Sequence, residues 1–168
     1  MSLAETLIAD FKVQLAKSRA LAEAAPEDKY DWQPHDKSMS LGRLASHIAE
    51  TPTWGDSVLL DEFDFATGMA DYKPFVAGSK EELLAALDKN AEAFVASIEG
   101  KDDEFMAGIW RGMMGDKEVM SGRRADVLRD FMVHHQIHHG GQLSVYLRML
   151  DVPVPPVFGP TADFPDAM

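Results

Sequence analysis

The chain contains no cysteine. Disulfides, a cysteine nucleophile and any thiolate metal ligand are therefore excluded. Basic runs are also absent: 16 Lys and Arg stand against 28 Asp and Glu, a formal net charge of −12. A phosphate backbone calls for a basic patch, so nucleic acid is not an expected partner. An anionic membrane surface is disfavoured for the same reason. No apolar stretch approaches the ~18 residues needed to span a bilayer. The opening Met-Ser-Leu-Ala-Glu-Thr-Leu-Ile-Ala-Asp carries acids early and lacks the apolar core of a secretory signal, which makes the cytoplasm the expected address. Convincing strand runs, internal repeats and low-complexity segments are missing as well.

What remains is an ordinary globular composition, 46% apolar and 26% charged, over 168 residues. That length suits a single domain, residues 1–168, with a substantial core. Leu3, Leu7, Phe11, Leu15, Ser18 and Ala22 recur at helical spacing and predict a first helix over residues 3–24, ending before Pro26. Residues 26–39 read as a connection pinned by Trp32 and Pro34. Ser40 is a plausible N-cap for a second helix over 41–60, and Pro52 within it predicts a kink or break just after His47. Residues 61–78 read as an irregular crossover. A third helix starts at Ser79, where Ser-Lys-Glu-Glu resembles a capping box, and ends at Gly100. Residues 101–122 read as a long loop, with a short hairpin as the alternative. A fourth helix covers 123–150, and the proline-rich tail lies extended over the rest. Four amphipathic helices with long crossover connections predict an all-α four-helix bundle.

Four of the six histidines fall within residues 134–139. His134/His138 and His135/His139 are both spaced i, i+4, which on a helix places two imidazoles on one face, a turn apart. Centring on His135 gathers Leu128, Phe131, Met132, His139, Gln142, Tyr146, Met149 and Leu150 within about 60°. Centring on His134 and His138 also gathers Arg123, Asp130 and Arg148. His135/His139 is therefore the inward pair. Two imidazoles deprived of water need partners, and a shared metal serves both, although hydrogen-bonded core histidines remain the plainer alternative. A third ligand has to come from another helix. His47 borders the apolar stripe of the second one, Glu50 is the nearest acid, and His35 reads as surface. Three histidines without a thiolate suit Zn²⁺, Ni²⁺ or another late divalent ion, with positions left for water or substrate. Gln136 occupies the place of the glutamate in a His-Glu-x-x-His metallopeptidase, so peptidase chemistry is disfavoured. Gly140-Gly141 costs roughly 2 kcal/mol of helix propensity, tolerable where a neighbouring helix or ligand needs close approach.

Three stretches resemble the DinB family of four-helix metalloproteins. They are Trp32-Gln-Pro-His through Ala-Ser-His47-Ile-Ala-Glu, His135-Gln-Ile-His-His139-Gly-Gly-Gln142-Leu-Ser-Val-Tyr-Leu-Arg, and Val154-Pro-Pro-Val-Phe-Gly-Pro-Thr-Ala-Asp. The resemblance implies a histidine triad, His47, His135 and His139, holding a divalent metal. It also implies a homodimer. One departure is Gly140, where the family often has an arginine that would steer an anionic substrate or partner. Related families include transferases and isomerases that use low-molecular-weight thiols. In a cysteine-free chain such a thiol would be a small-molecule cosubstrate. The expected activity is a metal-dependent thiol transferase or hydrolase acting on a small molecule, with Gln142 contacting substrate or bound water and Tyr146 a weaker candidate. The alternatives are a non-catalytic, damage-inducible metal-binding protein and a metal-free helical interaction module.

Overall fold

The computed structural model describes residues 1–167; Met168, the last residue of the expected domain, lies outside the described residues. Helix α1 spans Leu3–Ala24. Ser2 caps it in a full capping box: the hydroxyl accepts from the Glu5 amide, and the Glu5 carboxylate accepts from the Ser2 amide. The following loop is pinned as expected. Its Trp32 ring packs edge-on against Tyr146, and its carbonyls at Tyr30 and Trp32 receive the first amides of the next helix.

Helix α2, Leu41–Glu50, starts on the Ser40 cap. The single helix expected over 41–60 is divided into α2, a 3₁₀ turn Thr51–Trp54 and the one-turn α3, Gly55–Val58. Pro52, five residues beyond His47, has no amide to give the Ile48 carbonyl, so the chain tightens into the 3₁₀ turn there. Strand β1, Glu62–Asp64, and the single turn α4, Phe65–Gly68, follow. Helix α5, Lys80–Ile98, begins on Ser79 as predicted, although the Glu82 carboxylate accepts from the Gly78 amide instead of closing the box.

After α6, Asp103–Ala107, strands β2, Ile109–Met114, and β3, Lys117–Arg123, form the hairpin that was the alternative reading of this stretch. Strand β1 joins β2 in parallel, giving a three-stranded sheet in the order β1-β2-β3. Short strands, three glycines in the hairpin and a register irregularity at Gly112/Met113 hid it from periodicity. The protein is thus mainly helical, 58% helix, with a small sheet added to the expected bundle. Helix α7, Arg124–Arg129, passes through a π-helical turn, Asp130–His134, into α8, His135–Met149.

Helices α1 and α2 each pack on both α5 and α8, closing a four-helix ring. One apolar cluster gathers Phe11, Phe94, Met106, Trp110, Leu128 and Met132; a second gathers Leu21, Leu44, Ile48, Leu87, Leu143 and Leu147. The buried Arg124 guanidinium ties the first cluster to the α3–β1 junction through the carbonyls of Val58, Leu60 and Phe105. The tail packs down at Val154 and is held where Asp163 pairs with Arg148. Among the described residues no helix is long and apolar enough to cross a membrane.

Candidate metal centre

His47 sits on the last turns of α2, and His135 and His139 on the first turns of α8. Along the chain His135 and His139 fall between Val133 of the first apolar cluster and Leu143 of the second, while His47 is flanked by Leu44 and Ile48 of the second. His47 and His139 are buried and His135 is half-buried. The His135 Nε2 lies 3.1 Å from that of His47 and 3.0 Å from that of His139.

The protons of this cluster can be assigned. A Glu50 oxygen lies 2.8 Å from His47 Nδ1, and an ionised carboxylate only accepts, so Nδ1 carries the hydrogen and Nε2 presents a lone pair. The Gln142 Oε1 sits 2.8 Å from His139 Nδ1 and fixes the same tautomer there. Two bare Nε2 atoms thus face a third, and one proton on His135 cannot satisfy both. A shared cation can. Two imidazoles on one tetrahedral ion, with bonds of ~2.0–2.1 Å, sit about 3.3 Å apart, close to the spacing found. The donor set fits a late divalent ion. No other His, Asp or Glu joins the three among the described residues.

Glu50, the acidic alternative for a third ligand, lies behind His47 instead. Burial alone would push its carboxyl up. Hydrogen bonds from His47, the Phe75 amide, the Tyr72 hydroxyl and Arg43 outweigh burial and hold it at about 2. Burial pushes His139 down to about 4, helped by its histidine neighbours and opposed by Gln142. Burial and the neighbouring His47 and His138 also lower His135, while Asp130 opposes them.

The outer pair is engaged elsewhere: His134 bonds Asp130, and His138 bonds the Gln142 amide nitrogen. His35 is exposed, taking the Lys37 amide. The core stripe of α8 is Gln136, Gly140, Leu143 and Leu147, with His139 at its edge. The face centred on His135 is therefore the border of the core, and Gln142 and Met149 on it are exposed. Gly140 packs toward Leu21 of α1, so an arginine there would not begin at the triad; Gly141 has no close neighbour. Gln136, buried on the core side, is not positioned as a base in the triad.

One cavity is lined by a triad residue, and a second meets the triad through the Trp54 ring. The first, polar and of about 260 Å³, is lined by His139, Gln142, Tyr146 and Lys37. The second, apolar and of about 590 Å³, is lined by Trp54, Leu60, Phe63, Phe65, Met69 and Phe131. The Trp54 ring stands 5.3 Å from the His47 ring and 5.2 Å from that of His135, between centroids. Sequence reasoning missed Trp54 as a wall and Glu50 as the support of His47. The i, i+3 spacing of His47 and Glu50 was the available signal for the second. Tyr72 and Phe75, in the crossover, gave none.

The fold and site define a helical-bundle protein with a buried three-histidine group that can hold a metal ion. Residues 10–143 match the DinB superfamily, and the chain belongs to it. It is similar to the crystal structure of a DinB-like protein from Bacillus subtilis, with 20% identity, a TM-score of 0.65, and coverage of 87% of this chain and 92% of that one. It is also similar to a DinB-like protein from Bacillus cereus, with 20% identity, a TM-score of 0.67, and coverage of 90% and 95%. These likenesses concern the fold. No curated protein matches the chain.

Proposed function

We propose that this protein is a metal-dependent enzyme acting on a small molecule, a thiol-dependent S-transferase or a hydrolase. The observation that carries the reading is the convergence of three imidazole nitrogens beside a polar cavity lined by His139, with no fourth protein donor among the described residues. Structural zinc sites close with four protein ligands, whereas catalytic ones use three. Imidazole donors favour Zn²⁺ or Ni²⁺. A bound ion of this kind supplies a Lewis acid that eases proton loss from water or a thiol.

The chain's own residues do the rest. Glu50 and Gln142 hold the protons of His47 and His139 on Nδ1 and keep both rings aimed. Trp54 excludes water along one side. Lys37, on the wall of the polar cavity, offers a positive charge to an anionic cosubstrate such as a low-molecular-weight thiol bearing carboxylates. In the transferase reaction the thiol loses its proton to solvent. Its sulfur forms the new C–S bond, and the leaving group departs from the acceptor with the bonding pair. Gln142 keeps a second amide hydrogen for substrate or water. The Tyr146 hydroxyl already donates to the Met39 carbonyl, which favours packing over chemistry for that residue.

The test is a screen of zinc- and nickel-loaded protein with low-molecular-weight thiols and electrophilic or hydrolysable acceptors, with His47→Ala as control. Turnover that needs the metal and disappears in the variant supports the reading. Turnover that survives removal of His47 overturns the site. A full complement of metal with no turnover across the screen favours a non-catalytic metal-binding protein.

A further inference from the structure

The apolar cavity is the largest of those beside the triad, and its wall is built before any ligand arrives. Gly68 lets the Phe63 ring pack flat on the chain: a Cβ there would lie 2.3 Å from a ring carbon. Phe63 stacks edge-on with Phe65, Phe65 with Trp110, and Trp110 with Phe131, at 5.2, 6.4 and 6.2 Å between centroids. Arg124 fixes the main chain on either side of Leu59 from below.

The wall's two hydroxyls are engaged elsewhere. The Thr53 hydroxyl donates to the Glu50 carbonyl, and the Ser57 hydroxyl to that of Trp54. The Asp56 carboxylate is the one charge on the lining. With a net charge of −12 behind it, it repels anions. A volume of about 590 Å³ is that of a small-molecule pocket and is too narrow for a partner helix about 10 Å across. Trp54 ties the cavity to the triad, since its ring also packs on His47 and His135.

We propose that this cavity seats the acceptor substrate, and that the acceptor is a neutral molecule with an aromatic or branched apolar body. The proposal rests on the enzyme reading above. The body lies among Trp54, Phe63, Phe65 and Phe131, with its reacting end toward the histidines. The anionic or polar cosubstrate takes the separate cavity by Lys37.

Binding and metal loading are tested separately. Titrate the full-length protein, metal-free and zinc-loaded, with the neutral fluorophore N-phenyl-1-naphthylamine, and repeat with Leu60→Asp and Met69→Lys. Both positions are on the cavity lining and partly exposed, at 54% and 37%, so a charge there leaves the core intact. Saturable one-to-one binding that weakens at least tenfold in either variant, with Zn²⁺ affinity unchanged, supports the proposal. Absence of saturable binding, or binding unaltered in both variants, overturns it. His139→Ala separates the two readings: it should abolish Zn²⁺ binding and leave fluorophore binding within about twofold. Failure of wild-type protein to bind Zn²⁺ or Ni²⁺ while it still binds the fluorophore would sink the enzyme reading and the acceptor role with it, and leave only an apolar ligand site.

Discussion

Glu50 holds His47 from behind: its Oε1 accepts the imidazole Nδ1 hydrogen at 2.8 Å while Arg43, Tyr72 and the Phe75 amide hold the carboxylate. A carboxylate in this position fixes the tautomer and raises the basicity of the opposite nitrogen. Glu50→Gln keeps the shape and loses the charge. It should weaken Zn²⁺ binding about 10- to 100-fold, measured by competition with a chromophoric chelator. An unchanged affinity would show that His47 is held without it.

The metal-free protein should lose stability on mild acidification. His139 titrates at about 4 when folded, against an ordinary value of 6.5. Between those values the unfolded chain binds more protons, so stability rises with pH through that window and is lost as pH falls through it. Glu50 acts in the same direction lower down. Its contribution is full above its ordinary 4.5 and is lost as pH falls toward about 2. Urea midpoints collected from about pH 7 down to pH 4 will show the first slope, and His139→Ala should reduce it, with His135, also lowered by burial, supplying the remainder. A midpoint constant across that range in the wild type contradicts the assignment.

Gly141 lies mid-helix with open space where a Cβ would sit. Gly141→Ala should therefore stabilise the protein by about 1 kcal/mol. Gly140→Ala should gain a similar amount, because its Cβ would meet Leu21 at an ordinary contact distance of 3.4 Å. Thermal denaturation should show the first variant about 2–4 °C higher. A fall in melting temperature would mean that the glycine is required by something else.

Gln136 is fully buried, and neither end of its amide has a partner within the protein. Such a group costs about 1–3 kcal/mol of desolvation. Gln136→Leu should raise stability by that order in chemical denaturation, with Zn²⁺ binding retained because the triad is untouched. Destabilisation would reveal a bonding role for the amide.

Much of this architecture could be read from residue spacing. The long helices announce themselves, α1 through regular apolar steps and α5 through its Ser79 cap. The inward choice of His135 and His139 survives because both lie within α8, where helical arithmetic holds. The arithmetic fails across the π turn. Leu128 and Gln136 are both fully buried, although eight residues of unbroken α-helix would leave them roughly 80° apart. Strand β1 was invisible for another reason: three residues carry no periodicity, and its partner β2 lies some fifty residues later. Phe63 and Phe65 therefore looked like parts of a loop, and the apolar cavity they wall went unseen. Trp54 falls within the second helix expected over 41–60, but the 3₁₀ turn that carries it follows from Pro52 in a way that periodicity does not encode.

The π turn at Asp130–His134 also bears on how this chain lines up with its relatives. A π turn holds one residue more than the α turn it replaces. Against a relative whose last helix is unbroken, the histidines and the contacts of Arg124 and Leu128 cannot both be matched without a gap. The gap belongs between residues 130 and 134. A gapless comparison that matches His135 and His139 will set every position before Asp130 one residue out of phase, including Arg124, which holds the α3–β1 junction.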